Sequence, residues 1–192
     1  MTLNEHKAAL RKELRAAQRN ISPAARNAAS AQLCTRLKEQ LFWKNSASIL
    51  FFAPLPDEAD VWPLLEETVA GGKITALPRF NPEGRSYAAV RVKNLQGEII
   101  TGQFGIREPA AHCPKIALAE TDLILVPGIA FDSFGRRLGR GKGFYDRLLA
   151  KTRGVKCGIA FDEQIAGEVP AGEQDLKMNF ILTPTRCLKI AG

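Results

Sequence analysis

The segment Thr121 to Pro127, TDLILVP, constrains the fold of this chain more than any other. Leu, Ile, Leu and Val in unbroken succession leave no polar face, so the segment suits a strand buried on both sides in a parallel sheet. It runs into GIAFDSFGRRLGRGKG, then a helical stretch from about Phe144 to Lys151, then the apolar strand VKCGIAF from Val155 to Phe161. This is a βα unit whose loop lies at the carboxyl end of a buried strand, the edge at which open α/β sheets bind ligands.

A second unit precedes it. ASILFF, Ala47 to Phe52, is apolar on both faces and is followed by the loop APLPDEAD, the helical VWPLLEETVA stopped by Gly71 and Gly72, and the strand KITALP. Nearer the N-terminus, Asn4 to Arg19 reads as a helix with Asn4 as its N-cap and Leu10, Leu14 and Ala17 on one face. Lys7, Arg11 and Arg15 recur every fourth residue on another face. Ser22 and Pro23 supply a cap and a first-turn proline for a second helix to about Leu41. SYAAVRV alternates as a strand, Gly97 marks a turn, GEIITGQFGIREP reads as an extended segment ending in a proline-bearing loop, and NFILTP is a late strand. No internal repeat or low-complexity linker interrupts the pattern, so residues 1–192 are expected to form one α/β domain.

At 192 residues the core needs no covalent staples. The four cysteines, Cys34, Cys113, Cys157 and Cys187, contain no C-x-x-C pair and read as buried, reduced thiols. No apolar run is long enough to span a bilayer and MTLNEHKAALRKEL lacks the apolar core of a secretory signal, so a cytoplasmic location is expected. Lys plus Arg number 27 against 20 Asp plus Glu, a net charge of +7 that favours anionic partners without choosing among them. The two histidines, His6 and His112, each lack a nearby partner for a metal pair or a nucleophile-base couple, which argues against histidine-centred catalysis.

The run GRRLGRGKGFYDRLL from Gly135 to Leu149 fits neither familiar phosphate motif. A P-loop would need Gly at Arg136 and Ser or Thr at Gly143, and a dinucleotide fingerprint starting at Gly139 meets Phe144 where its third glycine belongs. Yet Gly139, Gly141 and Gly143 alternate with Arg140 and Lys142, so successive N–H groups can face an anion while two cations reach its oxygens. The competing reading is a solvated basic turn. Asp146, one turn into the helix, could hold Mg²⁺ against nucleotide phosphates or form a structural ion pair with Arg140 or Arg147. On these features alone the Lys7 and Arg11 stripe reads more readily as a solvated face than as a ligand site, and Glu58 in PLPDEAD as an exposed loop acid.

LVPGIAFDSFGRRLGRGKGFYDRLL closely resembles the signature of the 5-formyltetrahydrofolate cyclo-ligase family, also called 5,10-methenyltetrahydrofolate synthetases. The family's order continues through KAALR, PLPDEAD, LPRF, GQFGIREP and VPAGEQDLKMN, across nearly the whole chain. It departs at EADV, where the family usually continues E-V-D-T, and at Gln174, where His is common. The resemblance implies an α/β fold: a single Rossmann-like domain with an open, mostly parallel sheet and helices on both faces, similar to the NagB/RpiA/CoA-transferase-like architecture. It makes Lys7, Arg11 and the run Arg137, Leu138, Gly139, Arg140, Gly141, Lys142, Gly143, Phe144 and Tyr145 the ATP contacts. Asp146 and Asp175 become Mg²⁺ carboxylates; Ala53, Glu58, Tyr87 and Phe104 become folate contacts; and Arg140, Lys142 and Tyr145 become the catalytic groups.

The implied reaction is ATP-dependent closure of 5-formyltetrahydrofolate to 5,10-methenyltetrahydrofolate. The expected partners are these two small molecules, with no nucleic acid, no membrane and a monomeric chain. A relative with the same ATP loop and a changed substrate, a sugar-phosphate isomerase, and a nucleic-acid-binding module are the alternatives. The last is disfavoured because few aromatics lie outside the expected strands.

Overall fold

A computed structural model describes residues 2–102, 105–172 and 175–191. The TDLILVP segment forms strand β6 (Leu123–Pro127), the sixth in chain order, and Leu123, Ile124, Leu125 and Val126 are fully buried. Strands β1 (Ser48–Leu50), β2 (Ile74–Asn81), β9 (Val155–Ile159) and β10 (Phe180–Leu182) join it in parallel; β3 (Ser86–Val92) and β11 (Cys187–Lys189) close the two edges antiparallel. The order across the seven strands is β11, β10, β9, β6, β1, β2, β3. The sheet therefore grows one way from β1 and the other way from β6, so that the boundary between these two strands is its switch point.

Strand alternation sorts the core into two faces. Ile49, Leu123, Leu125, Cys157 and Ile159 pack under α2 (Pro23–Glu39), α3 (Leu41–Lys44) and α4 (Trp62–Ala70). Leu50, Ile124, Val126 and Ala160 pack on the other face against Leu148 and Leu149 of α6 (Phe144–Leu149). Helices thus cover both faces, as the two-sided apolar strands require. Helix α1 (Leu3–Arg19) lies elsewhere: its Leu14 joins a small cluster with Ile129, Ala130, Leu138 and Val169. That cluster includes a two-stranded hairpin of β7 (Ala130–Phe131) and β8 (Arg137–Leu138).

Several local expectations shift. Thr2, not Asn4, caps α1: its side chain accepts from Glu5 N while Glu5 answers on Thr2 N, a reciprocal capping box. Ser22 caps α2 as its sequence implies, accepting from Ala25 N. Gly97 sits within the short helix α5 (Leu95–Glu98), whose start is capped by Asn94, and the following segment folds into a hairpin of β4 (Ile99–Thr101) and β5 (Arg107–Pro109). Arg137 and Leu138 belong to β8, so the hairpin stands between the central strand and the glycine loop. The four cysteines are free thiols, but Cys34 and Cys187 are only half-buried. Among the described residues no helix is long and apolar enough to cross a membrane.

Candidate active site

A cavity of about 440 Å³ opens at the carboxyl ends of β1 and β6, lined there by Phe52 and Gly128, with Pro78 from the middle of β2 beside them. This is the switch point of the sheet, where the strand order leaves a crevice. Lys7, Arg11, Ala53, Glu58, Tyr87, Asp146, Asp175 and the whole run from Arg137 to Tyr145 line it. Phe104 lies outside the described residues. The docking of α1 on the β7–β8 hairpin is what carries Lys7 and Arg11 to the cavity wall: Arg11 Nε donates to Gly139 O at 2.9 Å.

The glycine loop has physical reasons at each glycine. Gly141 and Gly143 have φ of +99° and +63°, in the left-handed region that disfavours a side chain. At Gly139 a Cβ would stand 2.7 Å from Arg137 Nη1, so the guanidinium occupies the space. Arg137 is buried, donates to Pro127 O, and pairs with Asp146 Oδ1 at 2.5 Å. Asp146 therefore has an ion-pair partner, but it is Arg137; Arg147 instead donates to Arg85 O.

Arg140 turns toward acids from the loop after β1. Its Nη2 lies 2.6 Å from Asp57 Oδ1 and 3.0 Å from Glu58 Oε1. Burial alone would lower the Arg140 pKa, but the hydrogen bond and charge of Asp57 and Glu58 together raise it. Burial dominates at Glu58 and pushes its carboxyl pKa up, against the opposing Leu55 N–H and Arg140. The Glu58 side chain is only 9% exposed, so it is a largely buried acid and not an exposed loop residue.

Lys7 Nζ bonds Asp175 Oδ2 at 2.6 Å, and Gly172 N donates to the same oxygen at 2.8 Å. Burial opposes ionisation of Asp175, but the Lys7 and Gly172 hydrogen bonds and the nearby charges of Lys7 and Arg137 outweigh it and hold its pKa low. Asp146 and Asp175 each keep one oxygen, Oδ2 and Oδ1, without a hydrogen bond among the described residues. Two carboxylates facing one cavity are the donor chemistry of a hard, oxygen-seeking cation. Tyr145 is held as the neutral phenol, its pKa pushed up by burial first and by the Glu58 charge second.

The cavity also contains residues that sequence reasoning missed. Glu108, buried in β5, lines it and accepts from Phe80 N at 3.3 Å. Gly102 makes room for it, since a Cβ there would lie 2.5 Å from Glu108 Cδ. The sequence signal was a lone acid in the extended REP segment, but nothing local said which way it faced. Phe80, Tyr87 and Phe144 form an edge-to-face cluster with ring centroids 5.3–5.5 Å apart, bringing residues of β2, β3 and α6 together. His112 is not partnerless: its donor atom and those of Glu98 and Cys113 lie within 4.8 Å of one another, because the β4–β5 hairpin folds Glu98 beside the turn after β5.

Residues 3–184 match the family model described as the 5-formyltetrahydrofolate cyclo-ligase family. The chain belongs to that family. Among its relatives, the mouse 5-formyltetrahydrofolate cyclo-ligase is 29% identical over 198 residues, covering 95% of each chain. The cyclo-ligase of Escherichia coli K12 is 28% identical over 177 residues, covering 90% of this chain and 97% of the relative. The NMR structure of Aquifex aeolicus 5,10-methenyltetrahydrofolate synthetase matches with a TM-score of 0.87 at 32% identity, over 97% of this chain and 93% of that one. The Mycoplasma pneumoniae 5,10-methenyltetrahydrofolate synthetase shares the fold, with a TM-score of 0.74 at 19% identity. A cyclo-ligase is a ligase, and this chain is an enzyme of that class.

Proposed function

We propose that the chain converts 5-formyltetrahydrofolate and ATP to 5,10-methenyltetrahydrofolate, ADP and phosphate. The observation that carries the reading is that a basic glycine loop and the buried acid of a separate loop, Glu58, wall one cavity. The relatives carry the same activity in their names, cyclo-ligase and methenyltetrahydrofolate synthetase.

In this reading ATP phosphates lie along Gly139 to Gly143, with Lys7, Arg11, Arg137, Arg140 and Lys142 around them, while the reduced pterin meets Glu58. A carboxylate can accept paired ring N–H donors. The formyl oxygen attacks the γ-phosphorus in line; the new O–P bond replaces the bond to ADP and leaves an N5-iminium phosphate. N10 then adds to the activated carbon, loses its proton, and the C–O bond breaks to release phosphate. The protein's task is positioning and charge stabilisation, so no nucleophilic side chain is needed. Arg140 and Lys142 neutralise charge on the transferring phosphoryl group. Tyr145, a neutral phenol, can donate a hydrogen bond but cannot serve as a base near neutral pH. Asp146 and Asp175 would hold Mg²⁺, which would neutralise phosphate charge when bound.

The deciding assay mixes the protein with Mg-ATP and 5-formyltetrahydrofolate and follows the methenyl chromophore. Its appearance only when both substrates are present is expected. Folded protein that binds ATP yet gives no chromophore would overturn the folate assignment in favour of a relative with a changed substrate.

A further inference from the structure

We propose that Glu98, His112 and Cys113 form a binding site for Zn²⁺ at the base of the β4–β5 hairpin, separate from the carboxylates of the nucleotide side. The donor atoms of these residues lie within 4.8 Å of one another. Glu98 ends α5 immediately before β4, and His112 and Cys113 follow β5, so the three residues flank the two ends of one hairpin.

The backbone already closes this base. Ala110 N donates to Glu98 O at 2.7 Å, Cys113 N donates to Ala110 O at 3.1 Å, and the Cys113 thiol approaches Glu98 O at 3.9 Å. The Glu98 carboxylate is oriented as well. Its Oε2 accepts from Lys93 N at 2.6 Å and Asn94 N at 3.1 Å, while Oε1 accepts no hydrogen bond among the described residues. Those two backbone N–H groups fix the orientation of the carboxylate. Cys113 is buried beside Val90 and Ala110, whereas His112 is exposed and can rotate.

The donor chemistry selects the ion. Thiolate, imidazole and carboxylate suit Zn²⁺, whereas Mg²⁺ takes oxygen ligands. Tetrahedral zinc with bonds of about 2.0–2.3 Å places its donors roughly 3.3–3.6 Å apart. The 4.8 Å bound leaves roughly 1.2–1.5 Å at most to close, by side-chain rotation in which the exposed His112 has the most freedom, and water completes the fourth position. Binding forms a Zn–S bond and breaks the Cys113 S–H bond, releasing that proton to solvent. The hairpin carries Ile106, Arg107 and Glu108 into the main cavity, so an ion at its base would brace part of the active-site wall.

The test titrates metal-free protein with ZnCl₂ by calorimetry in buffers of different ionisation enthalpy, and with CoCl₂ by absorption. One ion per chain, about one proton released, and a thiolate-to-cobalt band in the near ultraviolet are expected. Excess Mg²⁺ should not compete, and Asp146→Asn should bind Zn²⁺ as the wild type does, which separates this site from the proposed nucleotide metal. His112→Ala, at an exposed position, should fold normally and weaken binding about tenfold or more; Cys113→Ser should remove the band. Absence of heat and band, or a band that survives both substitutions, would overturn the proposal.

Discussion

Arg140 Nη2 lies 3.0 Å from Glu58 Oε1, so a cation of the glycine loop and the buried acid of the loop after β1 satisfy each other. Asp57 completes the arrangement at 2.6 Å. The proposed reaction needs each partner for something else: Arg140 for phosphate, Glu58 for the pterin. A folate that takes Glu58 frees Arg140, and phosphates that draw Arg140 away leave Glu58 able to accept from a ligand. The cost of separating the pair is met once, by whichever substrate binds first.

Binding of the two substrates should therefore be positively coupled, by a factor of roughly 5–150 as is usual for linked sites. Calorimetry with a non-hydrolysable ATP analogue, with and without 5-formyltetrahydrofolate, measures the factor in both directions. Arg140→Ala should reduce it toward one. Independent binding in the wild type would show that the pair does not link the sites.

Glu58→Gln should weaken folate binding yet stabilise the free protein. The folded-state pKa of Glu58 is raised, chiefly by burial. The fold thus favours the neutral acid: the contribution is fully present below the unfolded value of about 4.3 and is lost as pH rises through the folded value. At neutral pH the buried carboxylate is a liability that glutamine removes, and Asp57 still pairs with Arg140. Thermal melts should show a gain on the order of a few degrees at neutral pH that shrinks as pH falls toward 4. A variant less stable at neutral pH would mean that the Arg140 pair outweighs desolvation.

Asp146→Asn keeps the side chain's shape and its contact with Arg137 while removing the charge. Turnover should fall about 100-fold or more, with folate affinity unchanged, if Asp146 helps to hold a cation on the phosphates. A measured loss below about threefold, at saturating Mg²⁺, would reduce Asp146 to a structural partner of Arg137.

The sheet was legible because its strands carry the signal locally: an unbroken apolar run such as LILV needs two buried faces whatever surrounds it. The glycine loop was legible for a similar reason, since Gly141 and Gly143 answer a backbone demand made at their own positions. Partner choice was not legible. Asp146 reads equally well against Arg140, Arg147 or a metal, and only the β7–β8 hairpin, two short strands without a strong pattern, brings Arg137 to it. Glu108 and the Glu98, His112 and Cys113 group depend in the same way on the fold of the β4–β5 hairpin.

Gly158→Ala should destabilise the protein by about 1–3 kcal/mol, the usual cost of overpacking. Gly158 lies in β9, and a Cβ there would stand 2.5 Å from Cε1 of Phe131, a fully buried ring from the β7–β8 hairpin. Gly128 faces the same ring, its Cβ position 2.7 Å from Cζ. Urea unfolding gives the cost, and Phe131→Leu combined with Gly158→Ala should recover part of it. Strict additivity of the two substitutions would show that the ring is not the obstacle.

Lys7→Ala and Arg11→Ala distinguish a phosphate contact from a helix clamp. Both side chains already have partners, Lys7 on Asp175 and Arg11 on Gly139 O, so each removal also loosens α1 from the site. Half-buried, charge-assisted contacts of this kind are worth about 1 kcal/mol each in stability, and that part should appear equally in ATP and folate binding. If the two cations face ATP phosphates, ATP affinity should fall about tenfold beyond the change in folate affinity. Lys7→Arg should restore much of the ATP affinity, because it retains the charge. Equal losses for the two ligands, with a lowered thermal midpoint, would leave α1 as a structural support alone.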